Sequence, residues 1–289
     1  MLGLRVARLG LWLDARGIGL HMVAPPVHTK FLQGEQGFQD PFSGKGDLVL
    51  RVRNETLPET IPGAVRLSHS ENWELWLDEH ERSIFMAPRQ SPPIRIVVEP
   101  GFTTGELLGD FSSSAGTDLY PLEILEIRFF ANWLASFGDV ILHASGVVVD
   151  GKGYAFIGSA GAGKSTLAAS LLANHAALVL GEDTLILRCL EGRFWIYGTP
   201  WHLDPYMCSS YGAPLEKLFF LDRAAPQGVE RLTPADGITR ILQTAFIPYY
   251  LPKAVSGILD RLGLLAERVP FHSLSYPLGF DAWKLICQI

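Results

Sequence analysis

The chain has 289 residues, 48% of them hydrophobic and 19% charged, enough for one large domain or two modest ones with a full core. Its 24 Lys and Arg against 30 Asp and Glu leave a formal net charge of −6, and the cations are scattered, so no nucleic-acid partner is expected. Three cysteines, Cys189, Cys208 and Cys287, lack metal-ligand spacing and argue against a disulfide framework or a zinc site, which points to a reducing, cytoplasmic compartment.

The first fourteen residues are apolar but broken by Arg5, Arg8 and Asp14, and they read as a first strand, not a signal. No run reaches the roughly 18 to 20 apolar residues that span a bilayer, so a soluble protein with no membrane partner is expected. Residues 1–115 read as a β-rich N-terminal domain, with strands at 48–53, 73–78, 83–87 and 94–98. Segments 34–37 and 110–116 read as loops, the second marking the boundary to an α/β domain over 116–289.

That second domain opens with a predicted helix at 122–137, where Leu122, Leu125, Phe129 and Trp133 recur at helical spacing and Gly138 stops it. A strand over 140–149 then turns through Asp150-Gly-Lys-Gly153 into an apolar strand at 154–157. If Asp150 pairs with Gly153, the register puts His143 opposite Ala160.

The next segment is Gly158-Ser159-Ala160-Gly161-Ala162-Gly163-Lys164-Ser165, which matches the phosphate-loop pattern G-x-x-x-x-G-K-[ST] throughout. Three glycines let the backbone fold around an anion, and the opening turn of the predicted helix at 166–173 adds unpaired N–H groups and a positive dipole end. Lys164 would reach the β- and γ-phosphates of a nucleotide, and the Ser165 hydroxyl would coordinate bridging magnesium. Thr166 is a further phosphate candidate. ATP and Mg2+ are therefore the expected ligands.

Past this helix a strand at 177–180 leads to the acidic pair Glu182-Asp183, 18 residues beyond Lys164 and thus at the strand end nearest the phosphates. Strands at 184–188, 194–197 and 218–221 and helices at 233–245 and 255–267 complete the alternation. His143 could bind phosphate or move a proton. His202, in the loop 198–202, could line an acceptor site. Arg188, Arg193 and Arg223 could each stabilise a transferring phosphate, and sequence does not choose among them.

The run from His143 to Ser165, followed by that acidic pair, resembles the catalytic domain of the HPr kinase/phosphorylase family, whose fold is similar to the nucleotide domain of phosphoenolpyruvate carboxykinase. The resemblance covers about 139–185 well and the rest of the C-terminal region loosely. It implies a mixed-sheet P-loop nucleotide domain, with Gly158 to Ser165 on ATP and magnesium and His143 beside the phosphates. Of Glu182 and Asp183, one carboxylate would serve as base toward a serine hydroxyl and Asp183 would help hold metal, so the catalytic set is Glu182, Asp183, His143 and Lys164. The family has Asp-Asp where this chain has Glu-Asp, and its arginine-containing signature loop is replaced by Gly198-Thr-Pro-Trp-His202.

The expected function is an ATP-dependent kinase acting on a serine of a small protein or peptide, recognised by the N-terminal region, with a homo-oligomer suggested by the family. A nucleotide-binding regulatory module without transfer, or a small-molecule kinase, are the alternatives.

Overall fold

The computed structural model describes residues 2–15, 21–22, 48–58, 61–89, 93–111, 118–119, 125–201, 207–223, 225–277 and 279–289. It is a mixed α/β structure with two large mixed sheets and few helices. Contacts divide it into two units, Met1–Ser136 and Phe137–Ile289. The division falls after Ser136 and not near 115, because the helix α1 (Glu126–Ala135) packs within the first unit, with Phe129 edge-on to Phe85 at 5.3 Å and to Phe102 at 6.1 Å. Of the predicted helix 122–137, residues 122–124 lie outside the described residues, as do the loop at 34–37 and His202.

Strands of the first unit are β1 (Leu2–Val6), β2 (Leu9–Asp14), β3 (His21–Met22), β4 (Leu48–Asn54), β5 (Val65–His69), β6 (Glu74–Leu77), β7 (Ser83–Ala87), β8 (Ile94–Val98), β9 (Thr104–Gly109) and β10 (Asp118–Leu119). The sheet runs β1-β2-β4-β9-β8-β7-β6-β5, while β3 and β10 form a separate parallel pair. Alternation decides the faces: Leu48, Leu50 and Val52 of β4 are buried, whereas Val49 is half-buried and Arg51 and Arg53 are exposed. The N-terminal segment is a hairpin and not one strand, since Ala7 and Arg8 both take left-handed φ, 50° and 66°.

The second unit contains β11 (Val140–Val149), β12 (Lys152–Ile157), α2 (Lys164–His175), β13 (Leu178–Gly181), β14 (Thr184–Leu190), β15 (Arg193–Gly198), β16 (Gly212–Leu221), β17 (Gly228–Arg231), α3 (Pro234–Thr244), β18 (Ala245–Phe246), α4 (Pro252–Arg268), β19 (Phe271–Ser275) and α5 (Trp283–Ile286). Two strands of ten residues organise it. Residues 140–143 of β11 pair with β14 and 146–148 continue on that edge with β13, while 144–149 pair with β12 on the other edge, so the ladders change just after His143. Similarly, β16 pairs with β15 through residues 212–214 and with β12 and β19 further on.

The turn between β11 and β12 is the two-residue Asp150-Gly151, with φ of 50° and 75°, and Val149 faces Lys152. The expected register is therefore wrong by two residues, and His143 does not lie opposite Ala160. An even shift keeps every side chain on its own face. Helix α2 buries Leu167 and Ala168 and, one turn further on, Leu171, in a cluster with Phe156 and Phe219, whose rings stack at 5.5 Å. Each such leucine stabilises the packing by about 1.5–3 kcal/mol, which pins the helix start to the end of β12.

Between β14 and the residue before β11, Arg188 Nε donates to Asp139 Oδ2 at 2.7 Å, with the two side chains 7% and 2% exposed. Helix α3 is capped by Thr233, whose Oγ1 accepts from the Asp236 N–H at 3.2 Å. Among the described residues, no helix is long and apolar enough to cross a membrane.

Candidate active site

The loop 158–163 leaves the carboxyl end of β12 and enters α2 through Gly163, whose φ of 97° suits only glycine. Gly158 is needed for a different reason: a Cβ there would come within 2.7 Å of the Ala162 Cβ. Helix α2 starts without a side-chain cap, so its first-turn N–H groups are left to solvent or an anion, at the positive end of the helix dipole. Ser159, Ala160, Gly161, Ser165 and Thr166 are exposed around that opening.

Lys164 turns back under the loop. Its Nζ donates to Gly158 O at 2.9 Å and to Ser159 O at 3.4 Å, and stands 3.1 Å from His143 Nε2. His143 Nδ1 in turn lies 3.3 Å from Asp183 Oδ1. An ammonium has no lone pair to offer, so this contact assigns Nε2 as acceptor and leaves the imidazole proton on Nδ1, aimed at the carboxylate. Burial pulls the Lys164 ammonium below its usual pKa, and the Asp183 charge opposes that shift.

The change of ladder along β11 explains how His143 gets there. His143 is the last residue of the β14 ladder, opposite Thr184, and the next N–H, that of Ala144, donates to Asp183 O at 2.9 Å. The expected proximity of His143 to the phosphate loop is thus reached through β14 and the Asp183 backbone. Glu182 is half-buried and makes no ion pair among the described residues.

The structure also separates the three arginines. Arg188 is committed to Asp139, and Arg193 lies over the Trp195 ring at 5.8 Å. Arg223, just past the end of β16, donates from Nε to Ala162 O at 3.2 Å, and its Nη2 would touch any Cβ placed on Gly163. Sequence reasoning missed Ser145, whose buried Oγ donates to Lys164 O at 3.3 Å. The strand period of two could have found it, since 145 shares a face with 143. It missed as well the buried hydroxyl pair Thr184 and Thr199, 2.6 Å apart, at the foot of the acidic turn.

Ser165 and Asp183 offer a cation hard oxygens, the donor chemistry of magnesium completed by phosphate and water. No cluster of three or more His, Cys, Asp or Glu that could hold a metal occurs among the described residues, so a cation here would depend on those phosphate oxygens.

No family model matches the chain, and no curated protein matches it. Among solved structures it is similar to the HPr(Ser) kinase/phosphatase from Coxiella burnetii, 15% identical over 50% of this chain and 85% of that one, with a TM-score of 0.29. A likeness that loose carries no functional inference.

Proposed function

We propose that the chain is an ATP-dependent phosphotransferase that passes the γ-phosphate to a hydroxyl, with a serine of a small protein or peptide as acceptor. The observation that carries this reading is the chain of contacts from Lys164 through His143 to Asp183, set at the mouth of an uncapped glycine loop. A loop that only held phosphate would need the lysine and the helix start. A proton-handling pair beside the lysine adds what transfer to a hydroxyl requires.

Bound magnesium would neutralise charge across the β- and γ-phosphates. The loop N–H groups and Lys164 hold those phosphates, with Ser165 and Asp183 supplying oxygens for the cation. Once Lys164 swings from His143 to the phosphates, Nε2 is free to accept the acceptor's proton, and Asp183 holds the ring by its Nδ1–H. The acceptor oxygen then bonds to the γ-phosphorus as the bridging bond to the β-phosphate breaks, and ADP leaves with that electron pair. That movement of Lys164 breaks hydrogen bonds to two carbonyls and to His143, and no ion pair.

The test is incubation with γ-labelled ATP, magnesium and an extract of the source cell, comparing wild type with Lys164→Ala and His143→Ala. Lys164-dependent label in a discrete polypeptide is the expected result, with transfer lost but binding kept in His143→Ala. Nucleotide binding without any transfer would replace this reading with a regulatory binding module, and label in a low-mass product would make it a small-molecule kinase.

A further inference from the structure

Strands β12, β16 and β19 are parallel neighbours, so all three deliver their carboxyl ends to one edge of the sheet. In open α/β sheets, that edge is where the chain departs toward different layers and leaves a crevice for a ligand. Here the phosphate loop occupies the end of β12 alone. The ends of β16 and β19, locked together by the Asp222 N–H donating to Leu274 O at 3.0 Å, frame a cavity of about 270 Å³ against the side of the loop. Gly163 and Thr166 line it on the loop side, and Leu221, Leu274, Tyr276 and Pro277, with the charged Asp222 and Arg223 beside them, line it on the strand side.

This cavity and the His143–Asp183 pair flank the loop through different strands. β11 carries His143 and runs along one side of β12, while β16 runs along the other. The two sides differ in chemistry, polar and proton-bearing toward β11, and toward β16 and β19 a mainly apolar surface with Asp222 and Arg223 at the end of β16. A nucleotide held by its phosphates on the loop has two such ends, a reacting γ-phosphate and a flat, largely apolar base. We infer that the cavity at the ends of β16 and β19 takes the base and ribose of the nucleotide, so that the γ-phosphate points to the β11 side and the acceptor enters there. The inference rests on the nucleotide reading and fixes the direction in which the nucleotide lies.

Size and position fit. The volume is near the lower end of small-molecule pockets, about 300 Å³, adequate for a base and sugar whose phosphates lie outside it. Thr166, on the exposed first turn of α2, has its place at the junction of cavity and loop. Arg223 at the rim, already bonded to the loop at Ala162 O, is placed for the α-phosphate and not for the transferred one.

The test needs no substitution to begin. Full-length wild-type protein is irradiated with 8-azido-ATP, digested, and the labelled peptide identified by mass spectrometry, with and without excess tripolyphosphate. Label within 221–223 or 271–277, removed by tripolyphosphate, is the expected result. Label in any other peptide, still removed by tripolyphosphate and lost in Lys164→Ala, overturns the cavity assignment and leaves nucleotide binding standing. Label that neither tripolyphosphate nor Lys164→Ala diminishes removes the nucleotide reading together with this inference. In a second arm, Tyr276→Ala should weaken ATP about tenfold while tripolyphosphate binds as to wild type, since a stacked base is worth about that factor. Equal ATP affinity in the two proteins overturns the assignment.

Discussion

Each unit contains three neighbouring parallel strands, β2, β4 and β9 in the first and β12, β16 and β19 in the second. Among the described residues, the second trio alone delivers a strand directly into a glycine loop and a helix start. In the first, Asp14, Arg51 and Glu106 stand in one row across the strands, beside a cleft of about 460 Å³ that also includes Arg82 and Glu99. Charges of both signs line that cleft. The difference teaches that a crevice over parallel strands is not enough, and that affinity for an anion comes from a segment beyond a strand end: unpaired N–H groups, a helix dipole and a lysine.

The two units also differ in how each is held together, and the largest effect should appear there. Asp139→Ala leaves Arg188 buried without its carboxylate and is expected to cost about 3–5 kcal/mol in urea unfolding. Next in size, Lys164→Ala should lower ATP affinity about a hundredfold by calorimetry, roughly 3 kcal/mol, while Arg51→Ala in the first unit changes it less than about twofold. Equal losses from the two would break the comparison. Gly163→Ala forces a left-handed φ on a residue with a Cβ and pushes on Arg223, which should cost about 1–2 kcal/mol of stability and about a tenfold loss in ATP affinity.

A smaller effect sharpens the contrast through pH. Burial would raise the Asp78 carboxyl of the first unit, but hydrogen bonds from the Arg82 N–H, the Arg82 guanidinium and the His80 N–H outweigh it and hold its pKa below the ordinary carboxylate value. Burial raises Asp139 in the second unit, against the opposing pull of Arg188 and the Cys189 N–H. Stability from the depressed Asp78 is present above its unfolded pKa and is lost as pH falls through the folded one. Stability linked to the raised Asp139 is full below its unfolded pKa and lost as pH rises through the folded one. Acid should therefore weaken the first unit first, detected as proteolytic cleavage within residues 1–136 while 137–289 stays intact. Smallest of all, Arg53→Ala removes a surface pair with Glu106, 51% and 39% exposed, and should shift unfolding by less than about 1 kcal/mol.

Much of this is legible in the sequence where one local cause decides. Strands β7, β8 and β11 have the predicted limits, because a short apolar, β-branched run bounded by turn residues needs no distant partner to be recognised. The phosphate-loop residues, likewise, carry their pattern within eight positions. The failures are non-local or lack punctuation. Ala7-Arg8 turns the chain without glycine, asparagine or proline, so the N-terminal hairpin reads as one strand. Strand β9, Thr-Gly-Glu-Leu-Leu-Gly, and strand β19, Phe-His-Ser-Leu-Ser, are too short and mixed to announce themselves, yet each is fixed by pairing with its neighbours. For the candidate site, the register that singles out His143 is wrong by two residues. Its contact with Lys164 is set by the ladder change in β11, and only coordinates distinguish Arg223 from Arg188 and Arg193.

That ladder change bears on how the chain acquires its structure. Strand β11 completes its pairing only with β12, β13, β14 and β18, the last about a hundred residues downstream. Lys164's bonds to Gly158 and Ser159 span six residues or fewer, so the anion cradle can close as soon as its own hairpin and helix exist. His143 and Asp183 meet only after β14 has paired. During refolding, the contacts of Lys164 with Gly158 and Ser159 should therefore form before the contact of His143 with Asp183, an order that pulse-labelled hydrogen exchange of residues 158–175 against 140–149 would resolve.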